Sequence, residues 1–189
     1  WPWSGVVRVA GVERRFKAPH QAIEAGIALV PEDRKRHGLG LMFSVSTNLT
    51  MVHLPDYCWA GIVDSQCEYR ATVQKAGEMG IKTVSMDTLV ETLSGGNQQK
   101  VVLGKWLMKV PRILFLDEPT RGIDVGAKAE IYKLIQSLAR DGVAILMASS
   151  ELPEILGLAD RTIVLRAGRF GCEFSGAGAT PHAIMEAAT

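Results

Sequence analysis

The sequence predicts an α/β protein with a parallel β-sheet that helices cover on both faces. Residues 113–116 and 143–148 are apolar at every position, as is typical of strands buried inside a parallel sheet. Between these two runs, four apolar side chains fall on one face of a predicted helix: Ile131, Leu134, Ile135 and Leu138. Short buried strands joined by amphipathic helices indicate the α/β class.

The bulk composition is that of one globular domain. The chain has 189 residues, of which 47% are hydrophobic and 22% charged, which suits one hydrophobic core and excludes a disordered chain. A net charge of +1 provides no basic field, so we expect no nucleic-acid partner. The apolar runs are too short to cross a bilayer, and no charged-then-apolar leader opens the sequence. We therefore expect a soluble chain that reaches a membrane only through a partner.

The cysteines do not form a disulfide framework. Cys58, Cys67 and Cys172 are scattered and odd in number, which suits unpaired thiols in a reducing cytoplasm. The four histidines lie near none of them in sequence, so we expect no transition-metal site.

The first half of the chain begins with strands and continues into helices. Residues 6–10 and 12–16 read as two strands around Gly11, followed by a short helix from about His20. Residues 27–30 predict a strand, and residues 64–79 predict a polar, weakly amphipathic helix.

The second half repeats the alternation and ends in smaller elements. Residues 98–108 predict a helix in which Val102 and Trp106 share a face, and Gly142 stands where a later helix should stop. Residues 162–165 and 170–174 predict strands. A flexible link at residues 176–179 and a small helix after residue 181 complete the chain.

Two acids follow the apolar run at residues 113–116. Ligands of open α/β sheets bind beyond the carboxyl ends of the strands, where Asp117 and Glu118 would lie. Asp117 could hold Mg²⁺ through water, and Glu118 could orient or deprotonate an attacking water. Taken alone, Asp-Glu-Pro could also be an ordinary strand end in a solvated turn.

A helix start upstream of these acids has the features of an anion site. Residues 93–100 read Leu-Ser-Gly-Gly-Asn-Gln-Gln-Lys, and Ser94, Gly95 and Gly96 leave backbone N–H groups at a positive helix terminus. The two glycines would let a phosphate approach the backbone closely. Ser-Gly-Gly alone could be an ordinary helix start, but the helix and acidic strand that follow it favour the functional interpretation.

Together these segments resemble the ABC ATPase family. Residues 93–98 are similar to its signature motif, residues 113–118 to its Walker B strand, and residues 122–124 to its D-loop. More narrowly, residues 93–100, 117–128, 149–154 and 31–36 resemble the carboxy-terminal half of the tandem ATPases of ribose, xylose and galactose importers. The resemblance runs from about residue 5 to residue 185.

This resemblance implies the fold and the organisation of the chain. It implies a P-loop NTPase (RecA-like) core with a parallel sheet, a remnant of the antiparallel β-subdomain, and the ABC helical subdomain at about residues 48–100. Residues 1–189 would then form one partial nucleotide-binding domain. Trp1-Pro2-Trp3 would pack in the small sheet, or could stack on a base.

The resemblance also assigns the site residues, with ATP and Mg²⁺ as cofactors. In the family two halves pack head to tail, and each signature faces the P-loop of the other half. The signature positions Ser94, Gly95, Gly96 and Gln98 would therefore act in trans. Asp117 would serve Mg²⁺, Glu118 would be catalytic, and Asp124 would belong to the D-loop.

Three positions depart from the general family pattern. The sequence contains no Gly-x-x-x-x-Gly-Lys-Ser/Thr loop, and Gly104-Lys105 lies inside a predicted helix, where it is core. Glu32 stands at the usual Q-loop glutamine, and Ser150 at the usual switch histidine. We expect the P-loop strand and helix to be missing, which would leave a gap or groove in the sheet lined by Leu114, Leu116, Ile145 or Met147.

The leading functional hypothesis is half of an ATPase that drives sugar import through separate membrane subunits. Its partners would be a complete first nucleotide-binding half or second ATPase chain, permease subunits and, indirectly, a sugar-binding protein. It would lie at the cytoplasmic face of the cell membrane. The alternatives are a catalytically silent remnant or regulatory binding module, and a soluble ABC protein without a transport role.

The basic cluster Arg34-Lys35-Arg36 leaves two interpretations open. It could be a solvated loop, as short basic runs usually are, or a contact with a membrane subunit.

Overall fold

The computed structural model describes residues 5–189, so the prediction for Trp1-Pro2-Trp3 lies outside the described residues. In chain order the strands are β1 (Val7–Val9), β2 (Val12–Arg14), β3 (Ile27–Val30), β4 (Cys58–Trp59), β5 (Ile62–Val63), β6 (Ile113–Asp117), β7 (Ala144–Ala148), β8 (Arg161–Arg166) and β9 (Arg169–Ser175). The α-helices are α1 (Pro19–Glu24), α2 (Val45–Thr50), α3 (Ser65–Glu78), α4 (Gly95–Leu107), α5 (Val125–Arg140), α6 (Leu152–Leu158) and α7 (Pro181–Ala188). A π-helix spans Arg34–Gly38, and 3-10 turns span Leu54–Tyr57, Val90–Thr92 and Gly176–Gly178.

A parallel sheet of three strands carries the candidate site. Strand β6 lies between β3 and β7, with Leu114 opposite both Ala28 and Ile145. The three strands therefore end at the same edge, which places Asp117 beside the residues that follow β3 and β7. The predicted parallel sheet is confirmed.

One face of this sheet forms the hydrophobic core. Its buried side chains join those of α4 and α5 in one cluster, which includes Ala28, Val30, Leu114, Leu116, Val101, Val102, Leu103, Ile131, Ile135 and Leu138. Helix α5 turns its predicted apolar face inward, and Gly142 ends it at φ +89°, a conformation that glycine adopts easily.

The opposite face of the sheet is open, so the prediction of cover on both sides is wrong for the described residues. Leu29 is 51% exposed and Leu146 is 57% exposed, although both belong to apolar strands. The predicted gap or groove does not involve Leu114 or Leu116, because β6 is paired on both sides and both side chains are buried. Within residues 5–189, β7 instead has a strand partner on one side only.

Helices α2, α3 and α4 lie between β3 and β6 in the sequence, and they pack against one another. The Asp64 carboxylate caps α3 by accepting bonds from the N–H groups of Gln66 and Cys67. Helix α4 begins at Gly95, three residues earlier than the predicted start at residue 98. The interpretation of Gly104-Lys105 as core is confirmed, since both residues are buried within α4.

Two antiparallel hairpins flank the sheet-and-helix core in sequence. Strands β1 and β2 pair antiparallel, as predicted for the small sheet at the start of the chain. Strands β8 and β9 form the second hairpin, against which α7 packs.

Candidate functional site

The two predicted acids lie at the carboxyl edge of the sheet. Asp117 is the last residue of β6 and is exposed. Glu118 follows it with φ +45°, and its N–H donates to the carbonyl of Ala148 at 2.9 Å. This hydrogen bond continues the pairing of β6 with β7 by one residue, so the two carboxylates stand at the end of adjacent strands.

Ser150 meets Glu118 through its main chain. The Ser150 N–H donates to Oε1 of Glu118 at 2.7 Å, which fixes the direction of the Glu118 side chain. The structure therefore brings the predicted catalytic residue and the predicted switch position into direct contact. A serine offers a hydroxyl here and cannot supply an imidazole.

Glu32 lies just beyond β3, at the same edge. Its carboxylate pairs with the guanidinium of Arg121, which lies three residues after Glu118. Both side chains are largely exposed, so the pair contributes little to stability, about 0–1 kcal/mol. It nevertheless connects the segment after β3 to the loop that leads into α5.

The signature residues form the first turn of α4. Ser94 is the N-cap residue and is exposed, and its Oγ accepts a bond from the side-chain amide of Asn97 at 3.0 Å. No side chain within the described residues caps the backbone N–H groups of this turn. Those N–H groups are therefore directed outward at the positive end of a 13-residue helix.

Gly96 has a packing role. A Cβ at this position would lie 2.6 Å from the Cβ of Ala127, closer than side chains approach each other. The missing side chain thus allows α4 to lie directly against the start of α5. Asp124 caps α5 there, since its carboxylate accepts from the N–H of Ala127 at 2.9 Å.

Gln98 points into the protein. It is 4% exposed, and its amide group donates to the carbonyl of Val90 at 3.2 Å while its oxygen accepts from Nε of Arg34 at 3.4 Å. Among the predicted nucleotide-binding residues, Gln98 is held by contacts inside the chain, whereas Ser94 is exposed.

A buried carboxylate, Glu154, was not predicted as a site residue. It is 1% exposed and accepts hydrogen bonds from the hydroxyl groups of Thr120 and Ser149. It thereby joins the segment after Glu118 to the segment before Ser150. The motif at residues 149–154 contained this residue, but its spacing alone gave no sign of burial.

A second unpredicted pair connects α5 to α6. Nζ of Lys128 lies 2.6 Å from the carboxylate of Glu151, and this hydrogen bond raises the pKa of Lys128 above its ordinary value. Together with the Glu154 contacts, it fixes the start of α6 against the strand ends that carry the acids.

The carboxylates at the strand ends suit Mg²⁺ when a phosphate group supplies further oxygen ligands. Within residues 5–189 no group of three or more His, Cys, Asp or Glu residues could hold a metal ion. Mg²⁺ binds well through one or two carboxylates, waters and substrate phosphates, and the exposed Asp117 suits that mode.

Within residues 5–189, no helix is long and apolar enough to span a membrane.

Comparisons with known proteins agree with this geometry. The family model described as "ABC transporter" matches residues 1–121. The chain is 50% identical over 182 residues to "Ribose import ATP-binding protein RbsA 2" of Streptomyces coelicolor, covering 96% of this chain and 35% of that protein. It is 47% identical over 186 residues to a "Putative ribose/galactose/methyl galactoside import ATP-binding protein" of Pseudomonas syringae pv. tomato, covering 98% and 35%. The chain thus spans about a third of the length of these relatives.

Solved structures share the fold. The dimeric, post-hydrolysis form of the ATP-binding cassette MJ0796 bound to ADP and Pi aligns with a TM-score of 0.74 at 17% identity, covering 91% of this chain and 73% of that one. The ADP conformation of the cassette MJ1267 aligns with a TM-score of 0.67 at 19% identity, covering 87% and 66%. The family match, the long relatives and the common fold lead to one conclusion: this chain belongs to the ABC transporter family, in its ATP-binding domain.

Proposed function

We propose that this chain is part of the second ATP-binding half of an importer for a pentose or hexose, and that it contributes its signature turn to an ATP site completed by another half. The observation that carries this proposal is the first turn of α4. Ser94 is exposed, and the backbone N–H groups behind it face outward without a side-chain cap. Such a helix terminus binds a phosphate through N–H donors and the helix dipole.

The remaining site residues take roles that follow from their positions. Asp117 would hold Mg²⁺ through water, and the ion would supply positive charge that stabilises the nucleotide phosphates. Glu118, oriented by the Ser150 N–H, positions or deprotonates the attacking water. Asp124 and Glu32 serve as the D-loop and Q-loop positions, and Gln98 supports the signature turn from inside rather than touching the nucleotide.

The partners follow from the relatives' names and from the site. A complete ATP-binding half supplies the P-loop that faces Ser94, permease subunits receive the motion, and a sugar-binding protein delivers the substrate. The chain lies at the cytoplasmic face of the membrane through the permease. We expect no nucleic-acid partner, since a net charge of +1 provides no overall basic field.

The second candidate function is a regulatory or catalytically silent module. It is favoured by one sequence feature, the serine at position 150, where the family usually has a histidine. Such a module would occupy the partner's site without supporting turnover.

One substitution separates the two candidates. Ser94→Arg places a long side chain over the outward N–H groups, so we expect it to remove at least nine-tenths of the ATP turnover of a complex with a complete ABC half. Ser65→Arg is the matched control, because Ser65 is an exposed residue at the start of α3. Equal turnover in both variants, or no stimulation of the complete half by the unmodified chain, would favour the silent module.

A further inference from the structure

Arg34 makes contacts that connect three separate parts of the chain. It is the first residue of the π-helix after β3 and is half-buried. Its Nε donates to Oε1 of Gln98 in α4 at 3.4 Å. Its terminal nitrogens donate to the carbonyls of Arg121 at 3.0 Å and Gly122 at 3.5 Å, in the loop between β6 and α5.

Gly95 shows independently that this position of the guanidinium is built into the signature turn. A Cβ on Gly95 would lie 2.9 Å from Nη2 of Arg34 and 3.3 Å from the carbonyl oxygen of Gly122. Any larger residue would push the guanidinium away from its carbonyl partners. The glycine of the signature turn therefore leaves room for Arg34 on one side.

The far end of the π-helix is fixed to α4 as well. The buried ammonium of Lys105 donates to the carbonyl of Gly38, and a Cβ on Gly38 would lie 3.1 Å from Val102. Burial lowers the pKa of Lys105. Because both ends of this short segment rest on α4, the Arg34 side chain projects from a fixed base toward residues 121 and 122.

We propose that Arg34 is a positioning residue for the composite ATP site. It holds the signature turn and the Gly122-Ile123-Asp124 loop in one fixed arrangement, so that both meet the nucleotide of the partner half together. This inference rests on the proposed function. Arginine suits the task because its planar group offers five donors in a fixed fork, whereas lysine presents a single point of charge that cannot hold all three acceptors.

The test compares five variants in the complex with a complete ABC half. We expect Arg34→Ala and Arg34→Lys to lower kcat for ATP about tenfold or more with KM changed less than twofold, because small displacements at a reacting centre cost about that much. Gly95→Ala should have a similar effect, and the double variant Arg34→Ala/Gly95→Ala should be no worse than the poorer single variant. Arg70→Ala is the control, since within residues 5–189 the Arg70 guanidinium donates only to the carbonyl of Gln66 in its own helix.

A second measurement does not depend on turnover. Amide hydrogen exchange at residues 122–124 should become at least tenfold faster in Arg34→Ala, while exchange in β6 stays unchanged. This result distinguishes a loosened loop from general unfolding.

The results distinguish failure of the positioning role of Arg34 from failure of the proposed function. If Ser94→Arg abolishes turnover while Arg34→Ala keeps kcat within twofold, or if the two Arg34 and Gly95 effects multiply, the positioning role is overturned and the proposed function stands. If Ser94→Arg leaves turnover unchanged, the proposed function fails and the role of Arg34 fails with it.

Discussion

At the scale of single residues, the backbone conformation of Glu118 is held by its neighbours and is not one that glutamate readily adopts by itself. A φ of +45° is uncommon for a residue other than glycine and costs about 1 kcal/mol or more. The bond from the Ser150 N–H and the bond to the Ala148 carbonyl hold it there. Two strand ends thus determine where the carboxylate points.

This geometry predicts that Glu118→Gln hardly changes the stability of the fold. The glutamine keeps an oxygen that accepts from Ser150, so we expect the melting temperature to stay within about 2 °C. Removal of a general base typically lowers turnover a hundredfold or more. Because Ser150 stands where the family usually has a histidine and cannot supply an imidazole, we expect a smaller loss here than from the equivalent change in the partner half. Steady-state turnover of the two variants, ranked in the opposite order, would contradict this expectation.

The candidate site residues at the strand ends and the helix start could be predicted from the sequence, whereas the buried contacts that hold them in place could not. Asp117, Glu118 and Ser94 stand in ordered motifs, and the structure places them at a sheet edge and a helix start. Arg34 and Glu154 acquire their roles from partners 87 and 34 positions away. No local periodicity reports such contacts, so only the folded chain shows them.

At the scale of elements, a polar clamp joins α4, α5 and Gly80, two residues after the end of α3. Nζ of Lys100, largely buried in α4, lies 2.5 Å from the carboxylate of Glu130 in α5 and donates to the carbonyl of Gly80 at 2.8 Å. The hydrogen bond from Lys100 lowers the pKa of Glu130 below its ordinary value of 4.5.

The clamp predicts an acid-sensitive contribution to stability. Because the folded-state pKa of Glu130 is lowered, the unfolded chain takes up the proton first as pH falls. The stabilising contribution is therefore present above about pH 4.5 and is lost as pH falls through the folded-state pKa. In denaturant titrations, Glu130→Gln should show a shallower decline between about pH 5 and 3 than the unmodified chain. Glu24→Gln, at the exposed end of α1, is the control, and an identical decline in all three proteins would refute the clamp.

Element length explains which elements the sequence predicted. Helices α3, α4 and α5 have 13 to 16 residues and were predicted, the pattern being weak in α3, whereas α2 and α6 have six and seven, less than two full turns of periodicity. The six-residue α1 was predicted as a short helix from about His20. The β4–β5 hairpin has two residues in each strand and was missed for the same reason. The four-residue β3 was predicted because Pro31 marks its end.

At the scale of the whole molecule, the parallel sheet has one covered face and, within the described residues 5–189, one open face. Apolar strand residues such as Leu29 and Leu146 suggested burial on both sides, but strand composition alone does not reveal which neighbours are present. The open face and the one-sided pairing of β7 leave apolar surface and backbone groups available for association.

This surface predicts a chain of low stability on its own. We expect the isolated 189-residue chain to self-associate and to melt below about 60 °C, whereas mesophilic domains typically melt at about 45–65 °C. Sedimentation combined with calorimetry checks both properties. A cooperative transition above about 60 °C from a monodisperse monomer would show that the covered face alone suffices.

The central claim is that Ser94 and its turn complete a nucleotide site in trans, and the affinity of this chain for a complete ABC half tests it most directly. We expect titration calorimetry to detect tight association only when Mg-ATP is present, and to find no association for Ser94→Arg. The isolated chain should bind Mg-ATP more weakly than about 1 mM, equivalent to about 4 kcal/mol. Association that is equally strong without nucleotide, or micromolar binding of Mg-ATP by the chain alone, would contradict a composite site.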